Sequence, residues 1–189
     1  MIIDPISMVE AALIVRIREL LGAKVRKVDS LPGDLDEEIL KKMLISAPGV
    51  YVSFGGGSVG SKHAYPPQIS SRWTVFVVTG HASGQAARRT GDQVQMGAYA
   101  LTSILAGALD SWVVEDVGGL ELADVRNLFT GALDAKGCAL YGLSFTLPME
   151  FPPEVDVAYL DDFVTFNAEY DLAPVEGNNA ATDRVTLET

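Results

Sequence analysis

The stretch VYVSFGGGSVGSKHAYPPQISSRWTVFVVTGH, residues 50–81, decides the fold. Its two ends read as strands. Val50 to Phe54 is a short apolar run. From Arg72 to His81, Trp73, Val75, Val77 and Thr79 share one face, and Thr74, Phe76 and Val78 share the other. A strand that is mostly apolar on both faces belongs in the middle of a sheet covered on both sides. Residues 55–70, rich in Gly, Ser and Pro, read as a loop with no room for a helix. Consecutive strands without an intervening helix argue α+β: a mixed, largely antiparallel sheet with helices packed on it.

Working outward, Asp4-Pro5 reads as the N-cap and first residue of a helix. Ile6, Val9, Leu13, Ile17 and Leu20 recur at spacings of 3 and 4, which is one apolar face, and Gly22 stops it. Val25 to Val28 reads as a short strand. Leu31-Pro32-Gly33 is a turn, after which Asp34 and Glu37 form a capping-box pattern for a second helix. Leu35, Ile39, Met43 and Leu44 mark its buried side, and Ala47-Pro48-Gly49 ends it. His81 to Gly84 turns the chain, and a third helix is expected over about 92–109, with Val94, Ala98, Leu101, Leu105 and Ala108 on one face. Gly118-Gly119 is a turn and Leu120 to Val125 a strand. Cys138 to Phe151 alternates strongly: Ala139, Tyr141, Leu143, Phe145, Leu147 and Met149 on one side, Gly142, Ser144 and Thr146 on the other. Pro152-Pro153 closes the compact part. The chain thus divides into a core domain, 1–151, and an acidic C-terminal extension, 152–189. Within the extension, residues 163–168 alternate as a further strand, and the closing GNNAATDRVTLET reads as disordered or partner-dependent.

The glycine segment spells two enzyme loops. Gly56-Gly57-Ser58-Val59-Gly60 fits G-x-S-x-G, the nucleophile elbow of serine hydrolases. That elbow needs a helix directly after Ser58, and Pro66-Pro67 cuts any such helix short. A triad running Ser, acid, His also fails, because neither Asp nor Glu lies between Ser58 and His81, the last histidine. Gly55 to Lys62 approximates a phosphate-binding loop, but Ser61 and Lys62 are transposed, and the same prolines remove the helix whose amides would face a phosphate. His63 and His81 have no ligand partner at metal spacing, and Asp161-Asp162 is a lone acidic pair. Cys138, the single cysteine, reads as a small core residue. The expectation is a protein with no catalytic, cofactor-binding or metal site. A small serine hydrolase using Ser58 is the contrasting alternative.

The chain of 189 residues is 48% hydrophobic, enough to build a core without metals or disulfides. It carries a formal net charge of −11. The excess is concentrated late: residues 1–150 hold 16 acidic and 13 basic side chains, residues 151–189 hold 9 and 1. Clustered cations for gripping a phosphate backbone are absent from this pattern, which disfavours nucleic-acid binding. The longest uncharged run, Gln93 to Leu109, is short for a membrane span and contains Gln93, Gln95, Thr102 and Ser103, so it reads as a buried helix. The N-terminus has no signal-peptide pattern, and the expectation is a soluble protein from a reducing compartment.

Three stretches, in this order and spacing, resemble the phage Mu-like tail proteins of the tail-terminator family. They are PISMVEAALIVRIRELLG, then LPGDLDEEILKKMLISAPGVYVSFGG, then DDFVTFNAEYDLAP. The resemblance runs from about residue 3 to about residue 174. It implies a small α+β protein of contractile-tailed phages and their prophages, made in the bacterial host cytoplasm and located in the virion tail. It implies a homohexameric ring that caps the head-proximal end of tail tube and sheath, stops polymerisation and helps join the head through connector proteins. DNA passes through the lumen without specific binding; no cofactor and no membrane are involved. Another head–tail joining or tail-completion protein is the alternative within this class. The expected subunit or tail contacts are Ser58, Lys62, His63 and Tyr65 in the glycine segment, and Phe163, Phe166 and Tyr170 in the extension.

Overall fold

The computed structural model describes residues 4–33, 37–60, 66–128, 130–135, 137–151, 165–171 and 180–186. In chain order the elements are α1 (Pro5–Leu21), followed by a single 3-10 turn, then β1 (Lys27–Leu31), α2 (Glu37–Ile45), β2 (Gly49–Val59) and β3 (Gln68–Gly80). There follow α3 (Gln85–Thr90), α4 (Ala98–Leu109), the small ribbon β4 (Val113–Val114) and β5 (Gly118–Gly119), β6 (Glu121–Asn127), α5 (Gly131–Ala135) and β7 (Cys138–Glu150). Two further strands are β8 (Thr165–Asp171) and β9 (Ala180–Thr186).

The sheet grows from its middle. β3 and β7 pair antiparallel over their whole lengths, Gln68 opposite Glu150 and Gly80 opposite Cys138. β2 joins the other side of β3 antiparallel, β1 joins β2 parallel, and β6 joins β7 antiparallel. The order is β1-β2-β3-β7-β6, a mixed and mostly antiparallel sheet in an α+β fold, as the strand succession predicts. β3 is central, and both its alternations are used. Trp73, Val75 and Val77 enter the larger core under α1 and α4; Val78 and Phe76 enter a smaller one under α2 and α5.

α1 forms because Asp4 accepts hydrogen bonds from the Ile6 and Ser7 amides, two donors that a helix start otherwise leaves unmet. It ends at Gly22, whose φ of 50° favours glycine and whose N–H bonds the Arg18 carbonyl. Its stripe Val9, Leu13, Ile17 and Leu21 is fully buried against the sheet. Each such side chain contributes about 1.5–3 kcal/mol on burial. Two polar groups carried into this core are paired: the Trp73 indole donates to Ser71 Oγ at 3.1 Å, and the Ser71 hydroxyl donates to the Leu147 carbonyl at 2.7 Å, whereas the buried Thr102 hydroxyl on α4 has no partner among the described residues. Cys138 is buried in the smaller core, with its thiol against the Leu133 carbonyl.

Three expectations need correction. The glycine segment is no loop up to Gly60: β2 continues through Val59, with a register shift between Phe54 and Gly57, then Ser58 opposite Ser70. Glycine allows this, since Gly56 has φ 80° and a Cβ on Gly57 would lie 2.9 Å from the Ser70 carbonyl. Second, no helix runs from 92 to 109. α3 ends at Thr90, α4 starts at Ala98, and residues 91–97 form a closed turn that leaves Val94 95% exposed. Asp92 does make N-cap bonds, to the Val94 and Gln95 amides, but the turn it starts is not continued. Third, residues 180–186, which read as disordered, form β9, paired antiparallel with β8. The alternation of so short a segment is weak until its partner strand is identified. The capping pair at Asp34 lies outside the described residues.

The backbone divides into two units, one within Ile3–Pro153 and one within Glu154–Thr189. The second holds the β8–β9 hairpin, with Thr165 opposite Thr186 and Asp171 opposite Ala180. Among the described residues no helix is long and apolar enough to cross a membrane.

Candidate functional site

Ser58 is exposed on a paired strand, not at the tip of a tight turn. Opposite it stands Ser70, and His81 follows eleven residues later, just past the end of β3. At about 3.3 Å per residue that separation is roughly 35 Å. His81 therefore cannot serve Ser58 as a base, and the strained strand-to-helix turn that activates an elbow serine is not formed here. His63 lies outside the described residues, as do Lys62, Tyr65 and Phe163. Phe166 and Tyr170 fall on β8 at register positions opposite Val185 and Ala181, four residues apart and so on one face of that strand. Ser58 belongs to one unit and this hairpin to the other.

His81 has a different role. Its Nε2 lies 2.9 Å from Asp92 Oδ2, while its Nδ1 accepts from the Ser83 amide at 3.1 Å. With Nδ1 accepting, Nε2 carries the proton and donates to the carboxylate. The other Asp92 oxygen takes the Val94 and Gln95 amides, each at 2.8 Å. The Gln95 amide holds its carboxyl below the usual carboxylate range, followed by the Val94 amide and His81. Around this pair, Arg88 donates to the His81 carbonyl, Thr79 to the Arg88 carbonyl and Gln95 to the Gly80 carbonyl. A histidine–aspartate pair is two members of a catalytic triad, but here the remaining ring nitrogen, Nδ1, is taken by the Ser83 amide and the second carboxylate oxygen by two more backbone amides, which leaves no nitrogen for a nucleophile. It is a latch that fixes residues 91–97 to the end of β3, and sequence spacing gave no sign of it.

Nearby, Tyr99 on α4 meets Tyr141 on β7 edge to face, with ring centroids 5.7 Å apart. Burial pushes the Tyr141 hydroxyl up to about 12, helped by its hydrogen bond with Tyr99. Among the described residues no group of three or more His, Cys, Asp or Glu could hold a metal ion.

The two edges of the five-stranded sheet differ in charge. At the β1 edge, Arg18, Lys24, Arg26 and Lys27 are exposed; Arg18 Nη2 donates to the Val28 carbonyl at 2.8 Å, and Lys27 meets Asp29 at 2.8 Å. That ion pair lowers the Asp29 carboxyl and raises the Lys27 ammonium. At the β6 edge, Glu121 and Val125 are exposed and Asp124 is half-buried beside Arg126. Glu115 and Asp116 are exposed in the turn between β4 and β5, which precedes it in the chain. Whole-chain charge hid this asymmetry, because these residues cancel in the near-balanced total for 1–150.

Residues 5–150 match the family described as Bacteriophage Mu, Gp37. A Mu-like prophage FluMu protein gp37 from Haemophilus influenzae is 30% identical over 175 residues, covering 90% of this chain and 86% of that protein. A protein of Escherichia phage Mu named probable tail terminator protein is 30% identical over 154 residues, covering 82% of this chain and 80% of its own. Among solved structures, a chain from the virion of a native gene transfer agent particle covers 71% of this chain and 84% of its own, at 18% identity and a TM-score of 0.42. That likeness is too loose to carry an argument.

Proposed function

The chain belongs to the Bacteriophage Mu Gp37 family, and from that premise we propose that it is a structural tail terminator. In this reading it forms a ring, hexameric by resemblance, on the head-proximal end of the tail tube and sheath. The ring stops polymerisation and offers the surface that connector proteins join. The protein is then made in the host cytoplasm and ends in the virion tail. It needs no cofactor, and DNA crosses its lumen without being gripped.

The observation that carries the reading is the similarity to the phage Mu protein over 82% of this chain. Two features support it. Ser58 is separated from His81 by most of a strand, so the nucleophile-elbow motif cannot draw on His81 as its base. The net charge of −11 suits a channel wall past which DNA slides, because like charge keeps the phosphate backbone from adhering.

The test is electron microscopy of particles assembled without this protein. Overlong or irregular tails are the expected result. Tails of normal length beside unattached heads would sink termination and move the role to head–tail joining.

A further inference from the structure

We propose that the ring closes through the two edges of the five-stranded sheet, the basic β1 edge of one copy against the acidic β6 edge of the next. This rests on the ring reading above and names its interface.

Three observations converge. First, neither edge has a second strand: among the described residues β1 pairs only with β2 and β6 only with β7, while single side chains, Arg18 on the Val28 carbonyl and Asp110 on the Leu122 amide, occupy one backbone group of each. Second, the edges have opposite charge. Arg18, Lys24, Arg26 and Lys27 stand at one against a single carboxylate, Asp29; Glu121 and Asp124 stand at the other against a single cation, Arg126, with Glu115 and Asp116 in the β4–β5 turn that precedes it. A surface that complements a different surface of the same molecule makes head-to-tail contacts, which form a ring where the rotation between copies closes. Two copies approaching through the same edge are repelled, so opposite charge also selects against a two-fold dimer. Third, strand directions fit. β1 runs with β2, β3 opposes β2, β7 opposes β3 and β6 opposes β7, so β1 and β6 of one sheet point in opposite directions. Rotation about an axis along the strands preserves direction and sets β6 of one copy antiparallel to β1 of the next. Antiparallel is the slightly more stable pairing.

Unpartnered, the same edges look defended. β1 is only five residues long with Lys27 on it, and β6 carries a register shift between Leu122 and Asp124. Charge on an edge excludes strands at large and admits one of opposite charge. The half-exposed Val125 on β6 supplies apolar area to the contact.

The experiment uses the full chain in native mass spectrometry. Arg26→Glu/Lys27→Glu reverses one edge and Glu121→Lys/Asp124→Lys the other; circular dichroism confirms that each variant folds. The wild type is expected as closed rings, and each variant alone as monomer, with association at least about tenfold weaker. Mixed one to one, the two variants reassemble, because each reversed edge meets a reversed edge and each native edge a native one. Raising salt from 0.1 to 1 M, which shortens the screening length from about 10 to 3 Å, weakens the wild-type ring. Rings that survive both reversals overturn the edge pairing and leave the terminator reading standing, as does a mixture that stays dissociated. A wild type that stays monomeric at high concentration also overturns the pairing, and the tail-length experiment then judges the terminator reading by itself.

Discussion

Gly91 and Gly97 approach so closely that a Cβ on Gly97 would lie 2.2 Å from the Gly91 nitrogen, and one on Gly91 2.4 Å from the Gly97 nitrogen. The two glycines close the base of the 91–97 turn, where Gly91 also bridges to Met96. No side chain fits between two backbones at that distance. Gly97→Ala is expected to cost about 3 kcal/mol, as other overpacked sites do. For a chain of this size that lowers Tm by roughly 6–12 °C in a thermal melt. Gly107→Ala is the contrasting case. Gly107 lies in α4 with nothing within 4 Å of its absent Cβ, and alanine there should add about 0.5–1 kcal/mol.

The His81–Asp92 latch holds its turn through a carboxylate, so it should fail in acid. The Asp92 carboxyl is lowered in the folded state, so its contribution is fully present above the ordinary value of 3.8 and is lost as pH falls through the lower folded value. Asp92→Ala should remove the contribution at neutral pH. Amide exchange at Val94 and Gln95 would then rise several-fold, while exchange in β3 and β7 stays slow. Unchanged exchange at those two amides would show that the glycines alone shape the turn.

Tyr141 gives a signal at the opposite end of the scale. Its hydroxyl is raised to about 12 by burial, while an unfolded tyrosine ionises near 10. The folded protein thus keeps a proton that the unfolded chain gives up. The contribution is fully present below about pH 10 and is lost as pH rises through about 12. An ultraviolet titration should show one tyrosine ionising about two units late, and Tyr141→Phe should delete that phase.

Core and strand serine separate cleanly. Leu143 is fully buried on β7, and Leu143→Ala should cost about 2–5 kcal/mol in denaturant unfolding. Ser58 is exposed, and Ser58→Ala should move stability by less than about 0.5 kcal/mol. The same variant should leave any trace esterase activity unchanged. A loss of activity would revive the hydrolase alternative.

Most of the fold was legible because its signals are local. The bonds made by Asp4, the stripe Val9–Leu13–Ile17 and the stop at Gly22 all lie within one helix, and periodicity reports them directly. The alternation from Ala139 to Met149 marked β7, and the two apolar faces of β3 placed it in the sheet centre. The misread turn at 91–97 follows from the same logic. Asp92 caps a first turn whether or not a helix continues, and what stops it is contact between Gly91 and Gly97 across the turn.

The sequence by itself determined the class of the protein: the α+β fold and the family. These depend on patterns within a single element or on residue order. Only the tertiary structure decided that Gly55 to Val59 is bulged strand, that His81 latches a turn, and that positive and negative charge sit on opposite sheet edges. The reason is strand order. Lys27 and Glu121 belong to elements far apart in sequence, and which element lies at an edge is fixed by non-local pairing through β2, β3 and β7. Period and composition carry no information about those pairings.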